Sequence, residues 1–178
     1  MNLETLNSAL DALGNTLTDR ITITVAGSAM LLLSGRITRD VHDCDLMRIE
    51  PVGLENVLLS VAADIGNSLG LGQNWLNAQM CAWEKEFPEG WNCRREPFRT
   101  FGNLTVEFIS QVDGIALKAF AMVTRTDQQK GLRDLGDIEM IVPNAEELAA
   151  ALRYLDRMDQ EGYGCIPARA ILQKMQRT

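Results

Sequence analysis

Residues 21–35, ITITVAGSAMLLLSG, constrain the fold more than any other stretch of the chain. Ile21, Ile23 and Val25 alternate with threonines, the period of a half-buried strand, until Gly27 breaks the run. The apolar residues after it close up into a short helix ended by Gly35. A strand that turns directly into a helix opens an α/β unit, and the sheet it starts needs helices packed on it.

The rest of the chain supplies those helices and more strands. Leu3, Leu6, Leu10 and Leu13 recur at helical spacing, with Gly14 and Asn15 as the expected stop. A second strand is expected over 43–49 and a helix over 53–69, followed by a mixed segment over 71–91 that carries three tryptophans. Residues 92–100 and 103–110 read as two strands joined by Phe101 and Gly102. Asp113 is placed to cap a helix running to residue 124, and helices follow over 127–140 and 144–158. The last of these opens with N-x-E-E after Pro143, a capping-box pattern, and a short basic helix is expected after Cys165. The expected class is α/β or α+β, a mixed sheet flanked by helices, with a helical C-terminal third.

With 178 residues, 46 % hydrophobic and 23 % charged, the chain can bury one sizeable core, which excludes disorder and coiled coil as its main class. A single domain is expected, with its core over about residues 15–112 and a helical part over 113–178. Lys and Arg number 17 against 24 for Asp and Glu, a net charge of -7, which argues against non-specific binding along DNA. Cys44, Cys81, Cys93 and Cys165 form no C-x-x-C pair and read as reduced thiols rather than a zinc site or a disulfide framework. Acids at the start stand where a signal peptide needs a basic end, and the longest apolar run, 21–33, falls short of a membrane span. A cytoplasmic protein without a membrane segment is expected.

Chemistry concentrates in AGSAMLLLSGRITRDVHDCDL. Gly27 lets backbone approach a phosphate closely, and Ser28 with the amides of the bend can donate to an anion. If 43–49 is a strand, Asp43 and Asp45 project one way and Cys44 the other. Two neighbouring carboxylates repel unless a cation joins them, and oxygen ligands select a hard ion such as Mg²⁺. Parity sets Asp40 aside as the first acid, since Asp40 and Asp45 would face opposite sides of one strand.

Gly27-Ser28 followed by Asp43-Cys44-Asp45-Leu46 resembles the signature of the nucleotidyltransferase superfamily, with its polymerase-beta-like fold. GRITRDVHDCDL is similar to a stretch of small aminoglycoside and lincosamide nucleotidyltransferases. Trp75-Leu76-Asn77, residues 114–121 with Lys118, and 133–138 resemble bacterial nucleotidyltransferase-like proteins related to abortive-infection toxins. The resemblance covers roughly residues 21–150.

It implies transfer of a nucleoside monophosphate from a nucleoside triphosphate to an acceptor hydroxyl, with Mg²⁺ as cofactor. Under it Asp43 and Asp45 hold the metal, Gly27 and Ser28 cradle phosphates, and Lys118 pairs with the triphosphate. Arg36 is a further phosphate contact, and Asp134 shapes the site. The superfamily commonly adds a third carboxylate, for which Glu107 in LTVEFIS is the candidate catalytic and metal-binding residue. Glu107 shares its strand face with Thr105 and Ile109, company in which a charge needs a metal or lysine partner. A toxin with a cognate antitoxin and an RNA acceptor, an antibiotic-modifying enzyme and a non-catalytic nucleotide- or partner-binding module remain open.

Plainer readings stand beside these. Lys118 reads as a solvent-facing lysine, and Asp134 and Asp137 as a surface ion-pair cluster with Lys130 and Arg133. Trp75, Trp83 and Trp91 read as core or lid before a stacking platform, and His42 points away from the acids. Arg36 and Arg39 between the motif halves can contact phosphate or balance charge, and the basic tail with Arg169, Lys174 and Arg177 can complement a helix C-terminus.

Overall fold

The computed structural model describes residues 1–124 and 127–177. It is a mixed α/β structure built on the strand read first from the sequence, β1 (Ile21–Ala26). β2 (Cys44–Glu50) pairs with it antiparallel on one edge and β5 (Leu104–Phe108) parallel on the other. β3 (Leu76–Asn77) and β4 (Glu96–Phe101) complete a five-stranded sheet in the order β3-β2-β1-β5-β4. With both edges paired, β1 is buried along nearly its whole length, and Ile23 and Val25 are fully enclosed.

Two compact units share the chain: residues 1–85 with 94–109, and residues 86–93 with the chain from Ser110 on. In the first unit, α1 (Leu3–Thr16) packs on β4 and β5, α2 (Gly27–Leu33) on β1 and β2, and α3 (Glu55–Ser68) on α1 and β3. Leu6, Leu10 and Leu13 of α1 join Ile23, Leu46, Leu104 and Val106 among the fully buried side chains. In the second unit, α4 (Gln111–Thr124) packs against α5 (Gln128–Ile141), α6 (Ala145–Gln160) and α7 (Ile166–Met175). Residues 86–93 are tied to α6, whose Tyr154 hydroxyl and Arg157 guanidinium both donate to the Glu86 carbonyl at 3.0 Å. Among the described residues no helix is long and apolar enough to cross a membrane.

Several local expectations change for packing reasons. Gly14 does not stop α1. It lies inside the helix, where a Cβ would stand 1.7 Å from the Phe101 carbonyl oxygen, so the glycine is there for close approach. The β4–β5 turn is Gly102-Asn103, one residue later than expected, with Gly102 at φ +54. Ser110 rather than Asp113 caps α4. Its hydroxyl accepts from the Asp113 amide at 3.3 Å and donates to the Asp113 carboxylate at 2.6 Å. The capping box at Asn144 and Glu147 forms as expected, and Asp127 caps α5.

A bulge decides which side chains share a face. Thr24 pairs with Arg48, but Val25 pairs with Leu46, so Met47 is an extra residue in β2. Asp45, Arg48 and Glu50 therefore lie on one face with Thr22, Thr24 and Ala26 of β1 and with Thr105 and Glu107 of β5. The opposite face carries Ile23, Val25, Leu46, Val106 and Phe108. Asp40 lies in the loop before β2, so strand parity does not bear on it.

Gly14→Ala should lower stability by about 2–3 kcal/mol through overpacking. Gly136→Ala in α5, where a Cβ meets no atom within 4 Å, should raise it by about 0.5–1 kcal/mol. Urea midpoints at constant m-value check both.

Candidate functional site

Gly27 takes a left-handed conformation, φ +66, at the junction of β1 and α2. Its neighbour Ala26 is the register partner of Asp45, and a Cβ on Gly27 would lie 3.1 Å from Asp45 Oδ2. Backbone conformation and crowding thus both favour glycine, and together they set one carboxylate oxygen against the bend. The other oxygen, Oδ1, accepts from Asn77 Nδ2 at 3.1 Å, and the Gln79 amide donates to Asn77 Oδ1 at 3.0 Å, which fixes the orientation of that side chain. Ser28 Oγ accepts from Arg39 Nη2 at 3.0 Å, so a guanidinium lies at the serine of the bend. Arg36 is exposed.

Asp43 is half-buried and immediately precedes β2 rather than belonging to it. Between the two acids, Cys44 is fully buried, and burial first, then the Asp45 and Asp43 carboxylates, push its thiol far above the ordinary range. At neutral pH Cys44 is a thiol and packs as a small apolar group.

Glu107 shares the polar face with Asp45, but its partner is an arginine. Arg95 Nη1 lies 3.0 Å from Glu107 Oε2 and 2.7 Å from Glu50 Oε2, bridging two carboxylates. Arg48 continues the line of charge, 3.1 Å from Glu50 and 3.3 Å from Glu84. Among the described residues no three of His, Cys, Asp and Glu gather into a group that could hold a metal, and Glu107 does not join Asp43 and Asp45 in one. The hydrogen bond from Arg95, opposed by slight burial and helped by the charges of Arg95 and Arg48, holds the Glu50 carboxyl below the usual range. The stability this brings is complete above the ordinary carboxylate pKa and fades as pH falls through the lowered one.

Lys118 and Asp134 belong to the second unit, and there the plain surface reading fails. Lys118 is buried in α4, and its ammonium stands 2.7 Å from Asp137 and 3.1 Å from Asp134 on α5. Asp134 and Asp137 are 4 % and 3 % exposed, so the three form a buried ion cluster between helices instead of a solvated one. Burying apolar faces of α4 and α5 against each other carries these groups inside, where each charge needs the others.

Of the three tryptophans, Trp75 and Trp91 are core residues, and the Trp75 indole donates to the Ala62 carbonyl at 2.7 Å. Trp83 is 55 % exposed. Arg95, which bridges Glu50 and Glu107, is the residue of this face that sequence reasoning missed. Its only signal was a pair of consecutive arginines inside the strand expected over 92–100.

No protein-family model matches the chain, and no curated protein or solved structure matches it either. The site rests on its own geometry.

Lys118→Met should cost about 3–5 kcal/mol in chemical denaturation, because it strands two buried carboxylates. Arg95→Gln should return the Glu50 titration upward toward the ordinary carboxylate range, read by side-chain carboxyl NMR.

Proposed function

We propose that the protein is a Mg²⁺-dependent nucleotidyltransferase, moving a nucleoside monophosphate from a nucleoside triphosphate to an acceptor hydroxyl, and that its five-stranded sheet is a nucleotidyltransferase fold. One observation carries this reading: the Asp45 carboxylate stands directly against the Gly27-Ser28 bend. An acid that gathers a cation and a bend that receives phosphate are needed side by side for this chemistry.

The donor set suits magnesium. Mg²⁺ takes one or two carboxylates with substrate phosphates and keeps several waters, so Asp43 and Asp45 suffice on the protein side. Bound there, the ion would neutralise charge on the phosphates. Asn77 orients Asp45 by holding Oδ1. Gly27 carries no side chain to exclude the nucleotide's phosphates, while Ser28 and Arg39 supply a hydroxyl and a positive charge. In this reading Arg39 takes the phosphate role expected of Lys118, whose ammonium is held by Asp134 and Asp137. The reading leaves RNA as an acceptor and an antitoxin as a partner, on the strength of the sequence resemblance alone. The ion pair of Arg95 with Glu107, which occupies the candidate third carboxylate, favours a second reading as a nucleotide-binding module without transfer.

A thermal shift with each triphosphate plus Mg²⁺ tests binding. Ligand at a hundred times its dissociation constant should add about 2.7 kcal/mol of stability. Asp43→Asn with Asp45→Asn should remove the Mg²⁺-dependent part of that shift and abolish pyrophosphate release with the fold intact. Undiminished release in the double variant sinks the enzymatic reading, and a shift without release in the parent chain points to the binding module.

A further inference from the structure

The fold encloses Trp75 and Trp91 but leaves the Trp83 indole more than half exposed. Among the described residues that indole stacks on no ring, lies under no guanidinium and makes no hydrogen bond. Tryptophan is highly buried on average, because its large flat ring gains most from contact with other apolar or aromatic surface. Packing within the chain therefore does not account for this side chain. The segment that carries it is anchored beside β2 at three points. The Gln79 amide donates to Asn77 Oδ1, and Asn77 in turn holds Asp45 Oδ1. Cys81 Sγ donates to the Leu46 carbonyl at 3.4 Å, and Glu84 pairs with Arg48 at 3.3 Å. Residues 79–84 thus follow β2 from Asp45 to Arg48, two residues that share the polar face of the sheet. Three strand positions separate them, about 10 Å, a span that a single nucleotide covers. Trp83 breaks the 3₁₀ run at φ −106 and ψ 19, between the second and third anchors. An exposed aromatic ring is thereby held at the rim of the polar face, on the segment that also orients Asp45.

We propose that Trp83 is the platform for the base of the nucleotide, and that the nucleotide is a purine nucleoside triphosphate. With its phosphates at the Gly27-Ser28 bend, the nucleotide extends along β2 and lays its base on the indole. Stacking reads the flat face that every base has and strengthens with the size of the ring system. ATP and GTP therefore bind alike, and both bind more tightly than CTP and UTP. The inference rests on the nucleotidyltransferase reading and deepens it: the bend and Asp45 receive the phosphates whatever the base, and Trp83 selects the nucleoside.

Calorimetry on the full chain with Mg²⁺ compares ATP, GTP, CTP, UTP and inorganic tripolyphosphate, with tryptophan fluorescence read alongside. Tripolyphosphate carries the phosphates without a base, so it reports the bend and the acid alone. ATP should quench the emission of the exposed indole and tripolyphosphate should not. Trp83→Phe should remove that quench while keeping most of the affinity, and Trp83→Ala should weaken ATP about tenfold with tripolyphosphate unchanged. Equal ATP affinity in Trp83→Ala, an equal loss for ATP and tripolyphosphate, or pyrimidine triphosphates bound as tightly as purine ones overturns the proposal. If tripolyphosphate binding depends on Asp45 while Trp83→Ala binds ATP like the parent chain, the base platform falls alone. If neither ATP nor tripolyphosphate binds, the platform falls together with the nucleotidyltransferase reading. If ATP binds and quenches Trp83 but no pyrophosphate is released, the platform stands and the transfer reaction falls.

Discussion

The first unit is organised by hydrogen bonding on both edges of β1. A strand paired on each side has its backbone groups satisfied along its length, so Thr24 is buried while Thr22 stays partly exposed, and the strand's end becomes a fixed point in the sheet. The β2 bulge at Met47 then aligns Asp45 with Ala26 at that end, and parallel pairing with β5 aligns Glu107 with Thr24. Neither acid is near β1 in the sequence. Both are positioned by ladder hydrogen bonds, which allow little slippage because a one-residue slip would bury the charged face.

Charge is handled differently in the two units. On the polar face of the sheet, Glu84, Arg48, Glu50, Arg95 and Glu107 form an alternating line of partly exposed ion pairs, where each pair contributes little to stability but fixes side-chain direction. In the helical unit a single buried lysine faces two buried aspartates, and removing any partner leaves an uncompensated charge away from water. The first arrangement orders side chains across the polar face of the sheet. The second suits the specific docking of α4 on α5.

The strand–bend–helix, the second strand, the hairpin and the helix starts near residues 128 and 145 were legible, because each has a local cause: side-chain alternation, a glycine or a capping residue. By contrast, α4 was expected with Asp113 as its cap and starts two residues earlier, behind Ser110. Gly14 misled because a glycine that ends a helix and one that admits a neighbouring carbonyl look alike in sequence, and only the position of Phe101 separates them. Lys118 misled for a related reason. A lysine amid Ala, Leu and Phe on a helix carries no local sign that two aspartates on the next helix will meet it.

The sequence by itself determined the acid pair, the glycine-serine bend and the mixed α/β class, since these depend on residue type and short-range spacing. Only the tertiary structure decided that Asp45 meets the bend, that Arg39 rather than Arg36 reaches Ser28, and that Arg95 is the partner of Glu107. Those contacts join residues brought together by strand pairing and chain folding, and the register and the Met47 bulge that set them are properties of the assembled sheet, not of any one segment.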